Sequence, residues 1–313
     1  MNKILVTGAS GWIGRHCVPL LVSKGYEVHA VSRNRPADLS ITDVSWHEVD
    51  LLAHGSATEL VRRIRPDQVL HFAWYAEPGK FWQANENLDW VRTSLELARA
   101  LAESGGKRIV GAGTCAEYES NAGECCESST RILPDSLYGT SKHNVERYLQ
   151  SLASETGLSY AWGRIFFLYG PHEHRSRLVA YVVRSVLSGE PAHCSEGTQV
   201  LDFLHVEDAA SAFLSLLESD AQGPVNIASG RPISVRDVLH EIGRQTSRPE
   251  LIQFGALKPG PGIDRLWANT QRLQRETGWA QKFNLADGIQ QTIEWWRSRL
   301  NISADNFFQK QLK

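Results

Sequence analysis

Directly after three apolar residues, Ile4, Leu5 and Val6, the chain reads Thr7-Gly8-Ala9-Ser10-Gly11-Trp12-Ile13-Gly14. No other stretch limits the fold so strongly. An apolar run this short suits a strand buried on both faces of a parallel sheet, and the glycines after it must turn the chain at once into a helix. Gly8 permits the sharp turn, Gly11 lets backbone N–H groups approach a pyrophosphate, and Gly14 lets the helix lie against the sheet. Phosphates would then meet a helix N-terminus, where orphan donors and the positive dipole end favour anions. Ser10, Trp12 and Ile13 complete this candidate phosphate loop. Its glycine spacing is wider than the commoner G-x-G-x-x-G of dinucleotide sites.

The pattern then alternates strands with helices, which predicts a doubly wound parallel α/β sheet. The first helix should run to Lys24 and stop at Gly25, and Glu27–Val31 should be the second strand. An acidic residue at the end of that strand commonly marks NAD specificity and an arginine NADP specificity. Here Ser32, Arg33 and Arg35 stand there, so the sequence favours NADP(H) over NAD(H). Val44–Val49 reads as a third strand closing on Asp50 and Leu51, Val69–Trp74 as a fourth, and Phe81–Ser104 as one long helix ending at Gly105. Arg108–Gly113 is the next strand, with Thr114 at its C-terminal end, where parallel sheets bind ligands.

Ser136 is placed to cap a helix in which Val145, Tyr148, Leu149 and Leu152 follow helical spacing. Tyr138 and Lys142, four residues apart in its first turns, share a face. A free tyrosine titrates near pH 10 and is a poor acid or base. A neighbouring ammonium would lower that value, which makes proton exchange with a hydroxyl or ketone feasible, while Thr114 polarises the same oxygen.

Taken together, the glycine loop, His71-Phe72-Ala73-Trp74, Tyr138-Gly139-Thr140-Ser141-Lys142, Arg164–Pro171, Asp202–Asp208, Val225–Gly230 and Gly278-Trp279 resemble the extended short-chain dehydrogenase/reductases of the NAD(P)-dependent epimerase/dehydratase family. That resemblance implies a Rossmann-type domain over 1–168, with a returning segment near 200–235, and a smaller mixed α/β substrate lobe over 169–199 and 236–313. It implies Thr114, Tyr138 and Lys142 as the catalytic set, with Lys142 also on the cofactor ribose. It further implies Asp50, Leu51, Phe72, Ala73, Trp74 and Asn87 near the cofactor, a nucleotide-sugar substrate, and a homodimer. Departures from the family pattern are informative. Thr114-Cys115-Ala116 replaces the Thr-Asp-Glu of sugar 4,6-dehydratases, although Glu117 stands one residue on. Phe167 replaces an asparagine, and Leu201 a basic residue, that usually contact the sugar nucleotide. Cys115, Phe167, Arg177, Arg231 and Arg265 are the candidate substrate contacts, with Arg175 and Lys258 as further cations.

Lysine plus arginine number 33 against 35 acids, a net charge of −2. No basic field points to nucleic acid or to a membrane surface. The apolar runs are too short for a membrane span or a secretory signal, so a cytoplasmic protein is expected. Five cysteines without C-x-x-C spacing indicate neither zinc nor a disulfide framework, and His172 and His174 lack a third ligand for a metal. The Pro/Gly-rich loop Lys258–Gly262 reads as a clamp over a cleft. Arg33 favours net reduction: an NADPH-dependent reductase of a keto group at C4 of a nucleotide deoxysugar. A nucleotide-sugar 4-epimerase is the alternative, and a non-catalytic NADP(H) sensor a third reading.

Overall fold

A computed structural model describes residues 2–35, 38–39, 41–258 and 262–300. Seven parallel strands form its main sheet, in the order Gly223–Ile227, Ser159–Ile165, Arg108–Thr114, Gln68–His71, Lys3–Thr7, Glu27–Ser32, Val44–Glu48. This is the doubly wound arrangement expected from the alternation of strands and helices. Strand order reverses beside Lys3–Thr7, whose Thr7 stands in register with His71 of its neighbour. Ligands of such sheets bind at the carboxyl ends of the strands at this reversal, and the glycine loop emerges there.

Both faces of the sheet are covered. On one, Cys17, Val18 and Leu21 of helix Gly14–Ser23 pack with Ala209, Phe213 and Leu217 of helix Val206–Glu218. On the other, helices Ser56–Ile64, Glu86–Glu103 and Leu137–Thr156 contribute Leu60, Val61, Leu97, Leu101, Val145 and Leu149. Sandwiched between them, Ile4, Leu5 and Val6 are wholly buried, as a two-face strand requires.

A second sheet takes Pro232–Ser234, Val200–His205, Arg265–Ala268 and Gly123–Cys125, with Phe167–Tyr169 alongside Val200–His205. Helices Leu178–Ser188, Val235–Thr246 and Leu285–Arg299 close over it around their own apolar core. Gly123–Cys125 comes from the middle of the chain, while Gly223–Ile227 returns to the main sheet. Neither sheet is therefore a continuous stretch of sequence.

The helix expected from Phe81 begins at Glu86, after a separate 3₁₀ turn at Phe81–Gln83. Asn87 causes the break: its Nδ2 donates to Phe81 O at 2.7 Å and Ala84 O at 2.9 Å, taking up carbonyls that a continuing helix would use. Among the described residues no helix is long and apolar enough to cross a membrane. In the expected clamp, Pro259, Gly260 and Pro261 lie outside the described residues, as does the tail from Asn301.

Candidate active site

The glycine loop fits a pyrophosphate. Gly8 has φ +66°, and a Cβ there would lie 2.7 Å from Ala73 N. One on Gly14 would collide with Gly8 O and lie 2.8 Å from Ala9 Cα. The Gly11 N–H donates to Gly8 O at 2.9 Å, and Arg15 is the first residue to bond back along the helix, to Gly11 O at 3.0 Å. The amides of Trp12, Ile13 and Gly14 are thus among those a helix start cannot satisfy itself, the ordinary provision for an anion. Trp12 is pinned by its Nε1, which donates to Pro171 O at 2.7 Å.

A buried chain fixes the loop to the strand beside it, which the sequence did not disclose. Ser94 Oγ donates to Trp90 O and so accepts from His71 Nε2 at 2.7 Å. His71 Nδ1 then accepts from Thr7 Oγ1 at 2.7 Å, and Thr7 Oγ1 accepts from Ala73 N at 3.2 Å. Burial, with Lys142 nearby, drives His71 down to about 3. It is a neutral strut under Phe72, Ala73 and Trp74.

At the end of the second strand Ser32 turns its hydroxyl onto Asn34 O at 2.8 Å, while Arg33 and Arg35 stand exposed. Asp50 is exposed, with Oδ1 accepting from Leu52 N at 3.1 Å, and Leu51 is buried. Phe72 packs edge-on against Phe213 at 4.9 Å. Asn87 is tied into the scaffold beside Trp74. It is fully buried, and its Oδ1 accepts from Trp74 Nε1 at 2.8 Å while both amide hydrogens hold the 3₁₀ turn.

Thr114, Tyr138 and Lys142 converge at the carboxyl end of strand Arg108–Thr114. Ser136 caps the helix carrying the last two, its Oγ accepting from Gly139 N at 3.1 Å. Burial dominates at Tyr138 and pushes the phenol well above its ordinary value, with Thr114 acting the other way. Lys142 is buried, donates from Nζ to Ala112 O at 2.7 Å, and sits 3.8 Å from the Trp74 ring centroid. From the Tyr138 ring it is 5.9 Å away. Burial pulls Lys142 down to about 7, with Glu117 opposing. Lys142, expected to lower the tyrosine, has its Nζ on Ala112 O and over the face of Trp74, and burial is the largest influence on the phenol.

Glu117 is wholly buried. Its Oε1 accepts from Thr114 N and Trp162 Nε1, both at 2.9 Å, and Oε2 pairs with Arg164 Nε at 2.8 Å. Glu117 is therefore not a lone carboxylate beside Thr114. Cys115, also buried, has its thiol pushed far up by burial, which makes it a packed apolar group and no nucleophile.

On the substrate side the expected cations separate. Arg177 precedes helix Leu178–Ser188, lies 5.7 Å from the Trp12 ring, and acts to lower the pKa of Tyr138. It is the one candidate cation that borders both the glycine loop and the tyrosine. Arg175, Arg231, Lys258 and Arg265 are exposed, the last 5.7 Å from the Trp267 ring. Phe167 is half-buried against Phe203 at 6.0 Å, and Leu201 is buried in the lobe.

A doubly wound sheet with this glycine loop, and with threonine, tyrosine and lysine at one strand end, defines an NAD(P)-dependent enzyme of the extended short-chain dehydrogenase/reductase type. The model of the NAD dependent epimerase/dehydratase family matches residues 4–228, and the chain belongs to that family. It is 26% identical over 331 residues to a UDP-glucose 4-epimerase of Rhizobium meliloti (strain 1021), covering 96% of this chain and 98% of the relative. The UDP-glucose 4-epimerase of Thermotoga maritima, solved with UDP-glucose, superposes with a TM-score of 0.86 at 25% identity, covering 95% of this chain and 99% of that one. That of Thermus thermophilus, solved with NAD, gives 0.83 at 26% identity, covering 94% and 99%.

Proposed function

We propose that this protein is a nucleotide-sugar 4-epimerase that holds NAD(H). One observation carries the reading: Glu117 is consumed by Thr114 N, Trp162 and Arg164, so the acid and base needed to eliminate water are missing beside a tyrosine suited to proton exchange. Epimerisation therefore takes precedence over dehydration. It takes precedence over the reductase because the supporting arginine, Arg33, stands exposed and Ser32 is engaged with its own backbone, while the Thermus thermophilus relative was solved with NAD.

The loop of Gly8, Ser10, Gly11, Trp12, Ile13 and Gly14 holds the pyrophosphate, and Lys142 with Trp74 flanks the nicotinamide end. When bound, the cofactor supplies a hydride acceptor and donor at C4 of the sugar. Tyr138 exchanges the proton of the C4 oxygen, and Thr114 Oγ holds that oxygen; the same two groups serve both directions. Positioned proton exchange of this kind contributes about 10²–10⁴-fold. The seven-stranded sheet and its helices form the cofactor side, and the second sheet with helices Leu178–Ser188, Val235–Thr246 and Leu285–Arg299 the sugar-nucleotide side, with Arg177 facing the diphosphate. Pairing of two copies through helices Glu86–Glu103 and Leu137–Thr156 is part of this reading, as is a cytoplasmic setting; Leu88 stands exposed on the first of these helices.

The test is incubation with UDP-glucose and UDP-galactose in turn, with NAD present. Interconversion without net change in nicotinamide absorbance is expected. Stoichiometric oxidation of NADPH by a nucleotide 4-ketosugar, with no interconversion, would replace the epimerase by the reductase.

A further inference from the structure

Three of the chain's ten tryptophans, Trp12, Trp295 and Trp296, border one cavity of about 430 Å³. That is the size of a small-ligand site, about 300–1,000 Å³. It opens where helix Gly14–Ser23, the loop after Pro171 and helix Leu285–Arg299 meet, and its polar lining is Ser10, Arg15, Asp38, His172 and Arg299. Neither Thr114, Tyr138 nor Lys142 reaches it. Trp12 has its amide in the glycine loop and its ring in this wall.

The lining carries more positive charge than its own acid cancels. Arg15 Nη1 lies 3.0 Å from Asp38 Oδ2 and also donates to His172 Nδ1. The ring hydrogen of His172 is therefore on Nε2, left free to donate. His172 has φ +64°, an uncommon conformation for a residue with a side chain, and its ring sits 4.7 Å from Trp295 and 5.9 Å from His16. Arg299 is exposed, 5.3 Å from the Trp295 ring. Asp38 is the one acid among the described lining residues. Burial holds His172 down at about 4, and Arg15, His16 and Arg299 all act in that direction while Asp38 alone opposes them.

We propose that this cavity binds a small organic phosphate, separately from the dinucleotide and the sugar nucleotide. Arg15, Arg299, His172 Nε2 and the Ser10 hydroxyl come from four segments of the chain. Donors so spread suit the three oxygens of a phosphate better than the planar pair of a carboxylate. The indoles cover an apolar or aromatic body attached to it. Arriving there, the phosphate takes Arg15 from Asp38. Arg15 belongs to the cofactor side and Arg299 to the lobe, so the ligand ties the two together. The site does not depend on which reaction runs at Tyr138.

Phenyl phosphate is the probe, titrated by calorimetry into NAD-loaded protein with UDP-glucose in excess. One site is expected, with inorganic phosphate weaker because it lacks the apolar body. Arg15→Met should weaken phenyl phosphate by about tenfold, and Arg299→Met, at an exposed position, by about two- to fivefold. Asp38→Asn should act with the opposite sign and tighten binding by about twofold or more, because it releases Arg15. Melting temperatures control for folding; Asp38 and Arg299 are both exposed, so their variants decide the matter even where Arg15→Met unfolds. No binding, or an affinity unmoved by Asp38→Asn and Arg299→Met, would overturn the site. Loss of the signal when NADP⁺ replaces NAD would assign the cavity to the cofactor's 2′-phosphate and overturn it as a separate site.

Discussion

Glu117→Gln is the perturbation that most sharply separates a structural carboxylate from a catalytic one. The carboxylate is fully buried, and its partner Arg164 is 2% exposed, with 2.8 Å between Oε2 and Nε. An amide keeps the shape and one acceptor oxygen, but it leaves a buried guanidinium without its counter-ion. Removing one member of a buried pair costs about 3–5 kcal/mol. For a chain of this length, at about 2 °C per kcal/mol, the melting temperature should fall by about 6–10 °C. Arg164→Met added to Glu117→Gln should recover much of that loss, because the charge needing compensation is gone. Thermal unfolding of the wild type, both single variants and the double variant closes the cycle, with sugar interconversion measured on each well below its transition. Activity should survive within about tenfold where the fold does, since the carboxylate faces Thr114 N and not its hydroxyl. An unchanged melting temperature with activity lost by a factor of about 10³ or more would refute the reasoning and restore Glu117 as an acid or base.

Other expectations are briefer. Tyr138→Phe should lower kcat by about 10²–10⁴-fold while cofactor affinity, read by quenching of protein fluorescence, stays nearly unchanged; full turnover would remove Tyr138 from the chemistry. Gly14→Ala puts a methyl onto Gly8 O and Ala9, both backbone, so it should lower stability and abolish dinucleotide binding together. Glu173 is buried, and burial raises it from the ordinary 4.5 to about 8. Between these values the unfolded chain has already released its proton and the folded one has not. Stability should therefore be greatest below pH 4.5 as far as this group is concerned, and should fall as pH rises toward 8, by at most about 1.4 kcal/mol per pH unit. Urea unfolding at several pH values within that window should show a shallower slope for Glu173→Gln; equal slopes would remove Glu173 as the cause.

What the chain disclosed before folding, and what it withheld, divides along one physical line. Features whose consequences are local were readable: Ile4–Gly14 dictates its own strand, turn and helix, and Ser136 caps the helix it precedes. Thr114, Tyr138 and Lys142 could be brought together because a parallel strand ends where its ligands bind and helical spacing aligns positions four apart. The state of those groups was not readable, because it depends on partners distant in sequence. Glu117 could stand as a spare acid until strand register set Gly113 opposite Arg164 and Thr114 opposite Ile165, which brings Trp162 and Arg164 onto its two oxygens. Lys142 stands four residues from Tyr138, and only the fold shows that its Nζ meets Ala112 O and the face of Trp74. In each case a polar group near the site is held by protein partners. That redistribution leaves both oxygens of Glu117 engaged beside Thr114, the feature on which the proposed preference for epimerisation over elimination stands.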